Sequence, residues 1–141
     1  MANIIPDAFK SELLSGTHNF ANGGNSFKIA LYTSISGFSA SSTAYSATGE
    51  VSSSGTSYPA AGQALDSQAV AVASNVAYVD FADEVFSSVT LSAVGAIIYN
   101  DTNADKLVVV LDFGGTKTAT NGDFTIQFPA AGASTAILRI A

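Results

Sequence analysis

Val85-Phe-Ser-Ser-Val-Thr-Leu-Ser-Ala-Val-Gly-Ala-Ile-Ile-Tyr99 decides the fold of this chain. Val89, Leu91 and Ala93 alternate with Thr90 and Ser92, the period-two pattern of a strand with one buried face. Gly95 inside the run marks a bulge or a close approach of another backbone. The same texture recurs on both sides of it. Lys106–Phe113, Asp123–Phe128 and Thr135–Ile140 follow it, with Asn121-Gly122 read as a tight turn between strands. Ala69–Ala73 and Asn75–Phe81 precede it, and Phe27–Thr33 alternates Phe27, Ile29 and Leu31 against Lys28, Ala30 and Tyr32, as a half-buried strand does. Roughly six to eight strands, with turns about every 8–12 residues, predict an all-β, antiparallel sandwich or barrel in one domain spanning residues 1–141. No βα alternation and no internal repeat interrupts the pattern.

Two segments depart from it. Pro6 to Ser15 reads as a short N-terminal helix: proline suits the first turn, Asp7 suits the positive end of the dipole, and Gly16 stands where a C-terminal cap belongs. Ile4 and Ile5 precede it as an apolar arm, so residues 1–16 form an arm and a helix. Residues 34–63 have no clear period, and a connection of roughly thirty residues is long for a compact domain. Ile35, Phe38, Tyr45, Val51 and Tyr58 are spread through it. Disordered segments are poor in such residues, so this is expected to be a folded excursion.

Composition limits the chemistry. The 141 residues include no cysteine and no tryptophan, one histidine and five basic side chains, for a net charge of −6. Neither a disulfide nor a thiolate metal site can form. Lys10, Lys28, Lys106, Lys117 and Arg139 are scattered singly, which speaks against nucleic-acid binding. The apolar stretches are far shorter than the roughly 20 residues of a spanning helix, and the N-terminus lacks the pattern of a signal peptide, so no membrane association is expected. Charged residues make up 11% of the chain against a usual value of about 25%. The exposed positions must therefore be filled largely by Ser, Thr, Asn, Gly and Ala. Such a surface is easily desolvated and suits a protein packed against others.

Each reactive pattern has a blander reading. His18 is the only candidate base for a hydrolytic triad, no nucleophile elbow exists, and a histidine beyond a helix C-terminus reads as a dipole partner or surface residue. Asp80, Asp83 and Glu84 fall at a strand end, where aspartate bonds the backbone of a turn. Asp101-Thr-Asn103-Ala-Asp105 has the spacing of the first half of a calcium loop, but Lys106 stands where the sharp turn needs glycine, so it reads as a polar hairpin loop. Asn100-Asp-Thr102 fits a glycosylation acceptor only in a secreted chain. No catalytic residue, metal or cofactor is expected, and the chain is read as non-enzymatic.

Leu13-Leu-Ser-Gly16, Phe27-Lys-Ile-Ala-Leu-Tyr-Thr33, Gly49-Glu50, Tyr58-Pro-Ala-Ala-Gly62, Tyr78-Val-Asp-Phe-Ala-Asp83, Thr90–Asn100 and Phe124-Thr-Ile-Gln-Phe-Pro129 occur in that order. Taken together they resemble small virion structural proteins of tailed bacteriophages, some of which are capsid cement or decoration proteins. The resemblance implies a β-sandwich or jelly-roll subunit, made in the host cytoplasm and bound to the capsid exterior. Its partners would be the major capsid protein and copies of itself, and it would bridge capsomers as a homo-oligomer. Contact is assigned to the Met1–Phe9 arm and the Ser34–Gly62 excursion, with Ile4, Ile5, Phe9, Phe38, Tyr45 and Tyr58 as candidate contact residues; Ile4, Ile5 and Phe9 would equally well close one end of the core. Two alternatives remain open: a tail or baseplate component, and a carbohydrate-binding sandwich using Tyr32, Tyr45, Tyr58 or Tyr99 as stacking platforms.

Overall fold

A computed structural model describes residues 3–141; Met1 and Ala2, at the tip of the arm, lie outside the described residues. The described residues form one helix, α1 (Asp7–Leu14), and seven strands: β1 (Phe27–Tyr32), β2 (Gln63–Ala64), β3 (Ala69–Ala73), β4 (Val76–Asp80), β5 (Glu84–Asn100), β6 (Lys106–Ile126) and β7 (Leu138–Ile140). They make two sheets, a larger one in the order β2-β1-β5-β6 and a smaller one in the order β3-β4-β7. Every pairing is antiparallel. The fold is therefore all-β. The strands divide four and three, whereas a jelly roll uses eight, so what the structure establishes is the two-sheet architecture.

Pro6 takes the N-cap position with extended backbone, one place before the helical turn expected of it. At the other end Thr17 N–H bonds Glu12 O and Gly16 N–H bonds Leu13 O, with Gly16 at φ +79°. This is a Schellman cap, and it requires the left-handed glycine that the sequence supplies.

The deciding stretch becomes β5, half of a long hairpin with β6. The predicted strands Lys106–Phe113 and Asp123–Phe128 are one continuous strand, and Asn121-Gly122 is not a turn. Gly122 pairs with Val89, Asn121 takes φ +45°, and Ser88 on the facing strand takes φ +55°. The left-handed residues are absorbed as a bulge, which bends and twists the ribbon without reversing it. The reversal comes at Asn100–Lys106, where Asn100 Oδ1 accepts the N–H groups of Thr102 and Asn103, both at 3.1 Å. That is the polar hairpin loop expected there. Gly95 stands at a register shift, and a Cβ there would lie 2.5 Å from Leu111 O and 2.9 Å from Ile35 Cγ2.

β1 is buried on both faces, not half-buried. Phe27, Ile29 and Leu31 enter the core between the sheets, which also holds Phe9, Phe86, Val79 and Leu138. Ala30 and Tyr32 enter a second core with Ile35, Phe38, Ile97, Tyr99 and Leu107. The reason is the excursion. The first part of the excursion, residues 34–50, folds back over the far face of the larger sheet, anchored by bridges from Glu50 to Tyr32 and from Ala44 to Lys106, whereas Val51 and Tyr58 turn into the main core. The segment is folded, as its spread of aromatics predicted.

The free edge of β6 is covered along its first half. Ile4 exchanges both backbone hydrogen bonds with Val110 at 2.8–2.9 Å, Asn3 Oδ1 accepts from Asp112 N–H at 2.7 Å, and Leu107 N–H bonds Thr43 O at 3.0 Å. Covering an edge in this way removes a template for unwanted strand pairing.

Candidate interaction surface

The polar chemistry of the chain is turned inward. His18 is buried, not a surface residue, with its ring among Phe9, Phe20 and Phe27. Its Nε2 lies 3.1 Å from Glu12 Oε1 and its Nδ1 lies 3.0 Å from Asn100 Nδ2. Because Asn100 Oδ1 already accepts two backbone N–H groups, its amide nitrogen must donate to Nδ1. The network thus assigns the histidine proton to Nε2, where it is donated to Glu12. Glu12 Oε2 pairs with Lys106 Nζ at 2.9 Å. Burial alone would raise the Glu12 carboxyl, but the bonds from Lys106 and His18 outweigh it and hold the group below its ordinary value. This network ties the helix to the turn end of the β5–β6 hairpin, and both ring nitrogens of His18 are engaged in it. The sequence could not reveal it, because Glu12, His18, Asn100 and Lys106 meet only in the fold.

Asp83 and Glu84 bond distant segments of the chain, not the backbone of a local turn as the sequence pattern suggests. Asp83 Oδ1 accepts Phe128 N–H at 2.9 Å, and Glu84 Oε1 accepts Gln63 Nε2 at 2.6 Å. Burial, above all, raises the Glu84 carboxyl, and nearby Asp66 adds to the effect against the Gln63 bond.

Four tyrosines pin the excursion to the larger sheet. Glu50 accepts the hydroxyls of Tyr45 at 2.6 Å and Tyr58 at 2.8 Å through its two oxygens. Tyr58 Oη also accepts Leu31 N–H at 2.9 Å; Tyr32 donates to Ser46 O and Tyr99 to Ala61 O. Burial raises all four phenols above their ordinary value, and the Glu50 carboxylate adds to the rise. Tyr32, Tyr58 and Tyr99 are fully buried, and the Tyr45 ring lies tilted at 35° against Tyr99, with centroids 5.0 Å apart. Tyr32, Tyr58 and Tyr99 are therefore closed to a sugar, and Tyr45 is half-buried.

The six candidate contact residues separate in the same way. Phe9, Phe38 and Tyr58 are core residues, with almost no surface left for a partner. Their apolar character serves folding: Phe9 closes the main core and Phe38 packs edge-on against Tyr32. Ile4 and Tyr45 are half-buried in the second core. Of the six, Ile5 alone is exposed.

Ile5 opens onto a surface that the sequence pattern did not single out. An apolar groove of about 800 Å³ runs between α1 and the smaller sheet, lined by Ile5, Leu13, Leu14, Val70, Leu138 and Ile140 among others. Leu14 is 91% exposed and Ile140 59%. No carboxylate lines it, whereas Lys10 and Arg139 do. Strand alternation explains the bare face. Val70, Val79 and Leu138 form one cross-strand row, and Val72, Ala77 and Ile140 the next. Val79 and Leu138 reach the core, but the second row overhangs it, leaving Val72 72% exposed. A sequence cue was present in the Ala-Val-Ala-Val-Ala run, but nothing local shows which end of a strand outruns its neighbours.

Comparisons with protein-family models, with curated proteins and with solved structures find no match for this chain.

Proposed function

We propose that the chain is a non-enzymatic virion structural protein, a capsid cement or decoration protein. In this reading it binds the outer surface of a tailed-phage head and bridges capsomers, with the major capsid protein and further copies of itself as partners. The observation that carries the reading is the groove. Large apolar side chains gather there in contact with solvent, on a chain whose polar side chains are mostly committed to internal bonds. A clustered apolar patch of this kind marks an interaction site. The resemblance in element order supplies the particle, and the sparsely charged surface fits permanent packing.

The groove would take an apolar segment of the major capsid protein flanked by acidic residues. Lys10 and Arg139 at its rim, with no carboxylate in its lining, favour that charge pattern. One such contact is modest. Repetition over a shell makes retention strong, because copies held by several contacts at once rebind before they can leave.

Electron microscopy of the assembled particle, with this chain located by tagging, is the test. Density on the head exterior with the groove against the capsid protein is expected. Density in the tail, or none on the particle, overturns the reading.

A further inference from the structure

We infer that β3 is a self-pairing edge: two copies join antiparallel through Ala69–Ala73 about a two-fold axis at Ala71, fusing their small sheets into one of six strands. This deepens the reading above by naming the surface through which copies meet, and it rests on that reading only for the place where pairing would be used.

The geometry starts at the β3–β4 turn. Ser74 and Asn75 have φ +50° and +65°, so the two-residue loop is a type I′ turn. Its flanking pair, Ala73 and Val76, is then the hydrogen-bonded pair that closes the hairpin. From the register, Ala71–Tyr78 and Ala69–Asp80 are bonded in the same manner. Val70 and Val72 therefore turn their N–H and C=O groups outward, to the side of β3 where the sheet order has no further strand. Both valine side chains are exposed.

The occupant follows from pattern and charge. Ala-Val-Ala-Val-Ala reads the same in both directions. An antiparallel copy centred on Ala71 sets Val70 against Val72 of the other copy, and Val72 against Val70. Four outward backbone groups then meet four, as an isologous two-fold interface requires. The two valine pairs pack on one face, continuous with the bare row of Ala77 and Ile140. Residues 67–79 carry no charge, in a chain of net charge −6. Two like-charged copies can approach along this neutral strip, and the two-fold places their Asp66 residues at opposite ends, several Debye lengths of about 8 Å apart. The first half of the β6 edge is closed by the arm, and Lys117 guards the second half. The β3 edge has neither device.

A chain without cysteine allows a register-specific test. Ala71 would face its own symmetry mate in a non-bonded pair, with Cα atoms about 4.5 Å apart, within disulfide range. Ala73 would face Ala69, leaving its own mate about 13 Å away, out of range. Under mild oxidation of the isolated protein, A71C is expected to form a covalent dimer and A73C to stay monomeric. Sedimentation of the unmodified chain should show mass rising with concentration from 14.3 kDa to twice that value. Val72→Lys and Val72→Pro should abolish the rise while keeping the wild-type melting transition, since the Val72 N–H bonds nothing within the small sheet. A monomer at every concentration, equal crosslinking of A71C and A73C, or a dimer that survives both folded Val72 variants overturns the pairing. These measurements use no capsid, so the pairing can fail while head binding holds, and the reverse.

Discussion

Tyr58 shows how much of this molecule hangs on single hydroxyls. Its Oη accepts Leu31 N–H near the end of β1 and donates to Glu50 in the excursion. Tyr58→Phe keeps the ring and strands a buried donor, at a cost of about 1–3 kcal/mol; chemical denaturation should show that loss with an unchanged slope. Glu12 gives a pH dependence of definite sign. Its carboxyl is held below the ordinary value of 4.5 in the folded chain. Its contribution is therefore complete above that value and is lost as the pH falls through the lower folded value. The melting temperature of the wild type should fall faster on acidification through that window than that of Glu12→Gln. Glu84 acts in the opposite sense, since its raised carboxyl disfavours the fold as it ionises, so the difference between the two curves is the informative quantity. At this scale little was legible in advance. The cap at Gly16 was, because its signal is local. His18 was misplaced because what buries it, Phe20, Phe27 and Asn100, comes from three parts of the chain.

Among the elements, the arm and the excursion prove to be parts of the β-structure. Ile4 closes the β6 edge at Val110 and Thr43 continues the cover at Leu107. Deleting residues 1–5 should remove two backbone hydrogen bonds and a half-buried isoleucine, destabilising the chain by about 1–3 kcal/mol. It should also leave an open edge that associates on standing; light scattering during storage would register it. Strand positions were read well because a period of two is written into consecutive residues, as at Ala69–Ala73. Two features escaped that reading. Asn121-Gly122 carries a turn signal that the continuing pairing with β5 overrides, and the second buried face of β1 depends on a segment with no period at all.

At the scale of the whole molecule, two antiparallel sheets share one core, and the smaller sheet overhangs it. The two-sheet fold follows from many short alternating runs with little helix. The overhang could not be read, because it depends on how far unequal strands extend past one another. Leu14→Lys combined with Ile140→Thr should lower the binding of a hydrophobic dye at the groove and weaken head association. Stability should stay within about 0.5 kcal/mol, since both side chains are exposed and a lysine suits the last turn of a helix. Dye fluorescence and particle pull-down, measured beside a melting curve, would check all three.

The order of strands in the larger sheet also sets a timetable. β1 is the first strand made, yet its long partner is β5, which arrives after the excursion and both strands of the β3–β4 hairpin. Only β3–β4 and β5–β6 close locally. A growing chain must therefore leave the β5 side of β1, with Phe27, Ile29 and Leu31, open until Asn100 has been made. Refolding should be slow for a chain of this size, with the two hairpins structured before the sheet that contains β1 is completed.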